Sequence, residues 1–256
     1  MNLKDKVAIV TGGASGLGQA TVENFISKGA KVAIFDMNEE AGHALANQHP
    51  GQAIFVKVNV ADEESTRAGV QATVQAFGTV HVAVNCAGVG AAGKILDRDN
   101  KALPLSTFSK IININLVGTF NVCRLAAEQM ANNEPDSDGQ RGVLINTASV
   151  AAFDGQMGQC AYSASKGGVV GMTLPMARDL SRYGVRVMTI APGIFDTPMM
   201  QGVSDEYRQP LIAMVQNPKR FGDPKEYGAL CATIVENTYL NGEVIRLDGG
   251  IRMQAK

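Results

Sequence analysis

The sequence predicts an α/β protein: a doubly wound, seven-stranded parallel sheet with helices on both faces, folded as a single domain. Three observations carry that reading. Short apolar runs alternate with amphipathic stretches along most of the chain, the runs are apolar throughout, and a glycine-rich turn joins the first run to the first helical stretch. Parallel strands buried on both faces read as continuous apolar runs, and each needs a crossover helix before the next.

The elements follow in order. Strands are expected at residues 7–10, 31–36, 53–59 and 81–85, with helices at 17–28, 39–48 and 63–77 between them. The rhythm continues with a long helix at 108–130, a strand at 142–147, a second long helix at 159–182 and strands at 185–190 and 243–247. Pro175 inside the second long helix removes one backbone donor and predicts a kink. Two stretches break the pattern: residues 90–106 are polar and turn-rich, and 194–220 carry scattered prolines with Met199, Met200 and Met214.

Composition narrows the function. A chain of 256 residues, 45% hydrophobic and 18% charged, can bury a full core without staples. A net charge of −1 favours neither nucleic acid nor a membrane surface. No apolar run is long enough to span a bilayer, and the chain enters its first strand too soon for a leader peptide. Cys86, Cys123, Cys160 and Cys231 are widely spaced and, with three histidines, form no metal-ligand pattern. They are read as reduced thiols in a cytoplasmic protein.

The turn Thr11-Gly12-Gly13-Ala14-Ser15-Gly16-Leu17-Gly18 follows the first strand and opens the first helix. Gly12 permits the tight turn, Gly16 lets the backbone approach a pyrophosphate, and Gly18 lets helix and strand pack closely. The helix N-terminus then offers free N–H groups to phosphates. Asp36 ends the second strand, 18 residues past Gly18. Its carboxylate suits ribose hydroxyls and repels a 2′-phosphate, which points to NAD in a Rossmann-type fold. Two plainer readings stand beside these: an ordinary βα turn, and Asp36 as a helix cap near Asn38.

Four further motifs follow. Tyr162-Ser163-Ala164-Ser165-Lys166 is a Y-x-x-x-K, and Ser149 lies 13 residues upstream at a strand end. Asn85-Cys86-Ala87-Gly88 ends the fourth strand, and Asn115 lies in Asn113-Ile114-Asn115-Leu116. With the glycine turn, this ordered set resembles the short-chain dehydrogenase/reductase family over essentially the whole chain. The usual second Asn of N-N-A-G is Cys86 here.

The residue types fit oxidation of an alcohol, which needs a base on the hydroxyl as hydride leaves carbon. Tyrosine is a poor base, with an ordinary pKa near ~10. Lys166, one helical turn on, is expected to stabilise its phenolate. Ser149 can hold the substrate oxygen beside Tyr162. Ser163 and Ser165 read as bland helix positions.

The resemblance implies more. Asn115 would anchor a water reaching Lys166, with Asn113 competing for the role. Pro192, Gly193, Phe195 and Thr197 would lie along the nicotinamide, and residues 194–220 would form a substrate lid. Ser15, Leu17, Asn59, Val60, Asn85, Cys86, Ala87 and Gly88 would complete the cofactor contacts, along with Tyr162 and Lys166. On this basis residues 1–90 mainly bind the dinucleotide and 107–190 carry catalysis.

Residues 142–153, 172–179 and 241–249, with the stretch NEPDSDGQR at 133–141, resemble one branch of the family. These are the type II, short-chain L-3-hydroxyacyl-CoA dehydrogenases, related to type 10 17β-hydroxysteroid dehydrogenase. That resemblance implies an acyl-CoA substrate, a role in fatty acid metabolism and a homotetramer. The tetramer would be joined through helix faces bearing Ile111, Ile114, Val117 and Leu125. Lys94, Arg98 and Lys101 in the 90–106 loop could hold coenzyme A phosphates, offset by Asp97 and Asp99. A steroid, polyol or other alcohol dehydrogenase with the same machinery is the alternative. A nucleotide-sensing protein without catalysis is the remote one.

Overall fold

The computed structural model describes residues 1–90, 92–201 and 204–255, and the side chains of Met199, Gln201, Asp205 and Tyr207 fall outside that description. Seven strands form one all-parallel sheet: β1 (Val7–Thr11), β2 (Lys31–Asp36), β3 (Ala53–Lys57), β4 (Val82–Asn85), β5 (Gly142–Thr147), β6 (Val185–Pro192) and β7 (Val244–Leu247). Their order is β3-β2-β1-β4-β5-β6-β7. The order reverses between β1 and β4, and in open sheets of this kind ligands bind beyond the carboxyl ends at that switch.

Alternate residues of each strand feed two cores. Ala8, Val10, Val32, Ile34, Val84 and Ile145 face α1 (Gly16–Ser27) and α9 (Pro224–Glu236), packing on Phe25, Tyr227 and Ile234. Ile9, Ala33, Phe35, Ala83 and Leu144 face α3 (Glu63–Phe77) and α5 (Gly118–Met130), packing on Val70, Val122 and Leu125. Because both faces are covered, the strands carry no polar alternation. α2 (Glu39–Asn47) is capped by Asn38, whose Oδ1 accepts from Ala41 N at 3.1 Å.

Several boundaries differ from the sequence expectation. β3 stops at Lys57, so Asn59 and Val60 lie beyond its end. The helix expected at 108–130 begins earlier and is not uniform. It runs as α4 (Leu105–Ile112), a π-helical turn (Asn113–Val117) and then α5. α6 (Cys160–Leu180) continues through Pro175 without interruption, so the expected kink does not end it. The 194–220 stretch folds into α7 (Pro198–Gln201) and α8 (Asp205–Met214), with Gly202 and Val203 outside the described residues. Ala91 of the 90–106 loop is outside them too. Of the helix faces expected to join subunits, Ile111 and Leu125 are core, each 2% exposed, whereas Val117 is outside with Phe120 and Leu105. No helix among the described residues is long and apolar enough to cross a membrane.

Arg186 is an unusual member of β6. Only 4% exposed, it donates to the carbonyls of Ile234, Val235 and Leu240, and to Gln140 Oε1. It thus caps the carboxyl end of α9, whose last carbonyls have no intrahelical partners. Burial pulls its pKa down to about 10. Arg186→Met should lower unfolding stability by about 2 kcal/mol, measured by urea titration. An unchanged midpoint would show that solvent can replace these bonds.

Candidate active site

The glycine turn is shaped by close approach. A Cβ on Gly18 would lie 2.0 Å from Gly12 O, and one on Gly12, at φ +61, would lie 2.9 Å from Ala87 N. The first contact seats α1 on β1, and the second presses the turn against the Asn85–Gly88 strand end. Gly16 also has positive φ, +53. Ser15 precedes α1 in extended geometry, with no side-chain cap bond and no acidic residue in the first turn. The helix therefore presents unpaired N–H groups to an anion. Leu17 packs against the core beneath.

Asp36 does not cap α2, since Asn38 does. Its Oδ2 accepts from Ala14 N at 3.0 Å and its Oδ1 from Asn38 N at 3.0 Å. The carboxylate is thus fixed against the glycine turn, with lone pairs left for hydroxyl donors. Lys57 is its register partner on β3, but Lys57 Nζ is engaged by Glu39 at 2.6 Å. Asn59 is exposed, its Oδ1 accepts from Ala61 N, and among the described residues its amide N–H groups have no acceptor. Val60 is buried against Gly118, where a Cβ would lie 2.6 Å from its Cγ2.

The motif residues from β4, β5 and α6 converge beside this turn. Lys166, only 5% exposed, donates from Nζ to Thr147 O at 2.7 Å. Its Nζ lies 5.8 Å from the Tyr162 ring centroid. Ser149 lies near Tyr162, and its Oγ accepts from Ala151 N at 3.1 Å, capping the short turn Val150–Ala152. Burial pushes the Tyr162 phenol above its ordinary value, and the neighbouring Ser149 hydroxyl partly opposes this. Burial pulls Lys166 down to about 8, opposed by the nearby Cys86. The expected lowering of Tyr162 by Lys166 is therefore not present in the protein alone. Desolvation acts on both groups and Lys166 spends its bond on Thr147.

Asn115 and Asn113 separate cleanly. Asn113 is exposed, whereas Asn115 is fully buried within the π-helical turn. Asn115 Oδ1 accepts from Val89 N at 2.8 Å, and its Nδ2 donates to Val89 O and to Ser165 Oγ. Ser165 Oγ in turn donates to Tyr162 O at 2.7 Å. Ser165 is thus no bland helix position: it ties Asn115 to the turn bearing Tyr162. Ser163 Oγ is buried with no partner among the described residues. Gly88 makes room for the group, since a Cβ there would lie 3.2 Å from Asn115 Oδ1 and 3.6 Å from Lys166 Nζ. Asn85, in contrast, points into the sheet interior, donating to Asn146 Oδ1 and Cys123 Sγ.

The loop after β6 closes the other side. Gly193 lets it pass Asp248, where a Cβ would be 2.9 Å from the Asp248 Cα. Phe195 is buried against Gly222, and Thr197 Cγ2 comes within 3.5 Å of a Cβ on Gly16. The loop that follows Pro192 thus meets the glycine turn. Arg208 of α8 ties the two helices down through Asp196 at 3.2 Å and Met200 O at 3.0 Å.

Residues 6–208 match the family described as short chain dehydrogenase. The chain belongs to that family. This short-chain dehydrogenase is 52% identical to 3-hydroxyacyl-CoA dehydrogenase type-2 of Bos taurus, over 99% of this chain and 97% of the relative. It is 50% identical to the Homo sapiens protein of the same name, with the same coverage. A crystal structure of 3-hydroxyacyl-CoA dehydrogenase type-2 from Mycobacterium avium superposes with a TM-score of 0.95, at 44% identity, covering 98% of this chain and 97% of that one.

Proposed function

We propose that this protein is an NAD-dependent dehydrogenase interconverting (S)-3-hydroxyacyl-CoA and 3-oxoacyl-CoA. The observation that carries the reading is the convergence of Ser149, Tyr162 and Lys166 beside the glycine turn. Full-length similarity to proteins named for this activity supports the substrate. The site fits a dinucleotide: Gly12, Gly16 and Gly18 keep the turn free of side chains, the α1 amides suit a pyrophosphate, and Asp36 suits ribose hydroxyls. Asn59 and Val60 would border the adenine; Ala87, Gly88, Lys166, Pro192, Gly193, Phe195 and Thr197 would border the nicotinamide half. Bound nicotinamide supplies the hydride acceptor or donor.

The chain's own groups handle the proton. Ser149 Oγ holds the substrate oxygen beside the Tyr162 hydroxyl. Tyr162 accepts the alcohol proton as base, and returns one as acid in the reverse direction. Lys166 supplies the cation that makes a phenolate reachable, and the buried Asn115–Ser165 pair holds the helix turn in place. Screening the purified protein with NAD against 3-hydroxyacyl-CoAs, steroids and simple alcohols, by reduced-nicotinamide absorbance, tests the reading. Turnover of steroids or alcohols in preference to every 3-hydroxyacyl-CoA would overturn it.

Coenzyme A would be held by the loop after Gly90. A short antiparallel bridge, Leu96 to Ala102, folds that loop into a hairpin. Asp97 Oδ1 accepts from Asp99 N and Lys101 N, so this acid shapes the turn. Lys94, Arg98 and Lys101 are exposed on it. Lys94→Ala with Lys101→Ala should raise KM for acetoacetyl-CoA about fivefold at low salt, and less at high salt, where phosphate attraction is screened. KM for a CoA-free ketone should stay put, and parallel rises in both would remove coenzyme A from the loop's role.

A homotetramer is part of the proposal: Leu105, Val117 and Phe120 are exposed at 77%, 45% and 49%, an apolar face that a subunit contact would cover. Four free cysteines suit a reducing cytoplasm, where fatty acid metabolism would use the reaction.

A further inference from the structure

We infer that Tyr227, on α9, is a positioning residue for the proton-transferring pair: it holds the Thr147 hydroxyl, and so fixes the carbonyl that anchors the Lys166 ammonium. The inference rests on the roles proposed for Tyr162 and Lys166. Tyr227 is fully buried, and its hydroxyl lies 2.7 Å from Thr147 Oγ1 and 3.7 Å from Cys86 Sγ. Thr147 Oγ1 is itself 3.7 Å from Cys86 Sγ. Thr147 is the last residue of β5, and its carbonyl takes the Lys166 ammonium at 2.7 Å. One residue therefore faces Tyr227 with its side chain and Lys166 with its backbone.

Packing does not require this hydroxyl. A phenyl ring would fill the same core position, and a buried phenolic oxygen is tolerated only where it finds partners. α9 approaches closely here, since a Cβ on the next residue, Gly228, would lie 2.7 Å from Ala20 O. The arrangement also accounts for Cys86, where the family pattern has Asn. The short thiol sits beside both Thr147 and Tyr227, leaving room for the phenol to reach the strand end.

The titratable groups facing Lys166 are Tyr162 on its own helix, Cys86 at the end of β4, and Tyr227 from α9 behind Thr147, with Cys231 beyond it. Burial pushes the Cys86, Cys231 and Tyr227 protons to higher pKa, so all three stay neutral at physiological pH. The ammonium is held by an oriented carbonyl dipole, and the orientation depends on Thr147. A loosened Thr147 stabilises the ammonium less, Lys166 loses charge at lower pH, and the Tyr162 phenolate forms only at higher pH.

Tyr227→Phe keeps the ring and removes the bond. The acid limb of kcat for alcohol oxidation should move up by about 0.5 pH unit or more, with substrate KM changing less than ~2-fold. Thr147→Val should move the limb the same way, the double variant should add nothing further, and Thr147→Ser should restore the parent profile. A lower unfolding temperature with an unmoved pH profile in Tyr227→Phe would overturn the inference. Tyr162→Phe run in parallel separates the two readings. If it stays active, the proton-transfer assignment fails; if it is inactive while the Tyr227→Phe profile is unmoved, only the positioning role fails.

Discussion

Replacing Tyr162 by Phe is expected to lower turnover by at least ~10²-fold while leaving cofactor binding intact. The ring volume is kept, so α6 and its packing should be undisturbed. What disappears is the hydroxyl beside Ser149, whose pKa burial raises above its ordinary value. The measurement is kcat by reduced-nicotinamide absorbance beside a fluorescence titration with the cofactor. Near-parent kcat would refute the proton path. Lys166→Ala should behave differently, damaging both turnover and cofactor affinity, because its ammonium sits at the junction of Thr147, Asn115 and Gly88.

Asp36→Ala with Met37→Arg should narrow or reverse the cofactor preference, costing NAD about 10²-fold in kcat/KM while NADP gains. In the parent the Asp36 carboxylate is pinned by Ala14 N and Asn38 N, so it cannot swing away from a 2′-phosphate. Met37 is 57% exposed beside it and can carry a guanidinium without disturbing the core. Lys57, the register partner of Asp36, is already tied to Glu39 and offers no ready phosphate contact. Equal kcat/KM for the two cofactors in the unmodified protein would sink the assignment.

The sheet was legible because its inner strands are buried on both faces and announce themselves as apolar runs. The glycine turn was legible because φ and close approach leave few residue types for Gly12 and Gly18. Three parts of the site were not. Ser165 looks like any small helix residue, and only the fold reveals that it joins Asn115 to Tyr162. Tyr227 lies 61 residues beyond Lys166, in an amphipathic helix where an aromatic reads as core. Its hydroxyl acquires meaning only from Thr147. The third is electrostatic. A Tyr and a Lys one turn apart suggest a lowered phenol, yet burial of both side chains leaves the phenol raised and the ammonium lowered.

The π-helical turn at Asn113–Val117 makes the helix that carries Asn115 a spliced object. One residue more than an α-turn requires is held there, and each helical residue advances the chain by about 100° and 1.5 Å. α5 is therefore out of phase with α4, and a single helical wheel drawn over 105–130 misassigns its faces. Deleting one residue of the turn would let it close as an ordinary α-turn with Val122 and Leu125 still on the sheet, and what would be lost is the wider turn that carries Asn115 to Val89 and Ser165. Point changes along this helix act locally. Changes of length act on the turn itself, so relatives that hold Asn115 in this place should differ here in letters and agree in count.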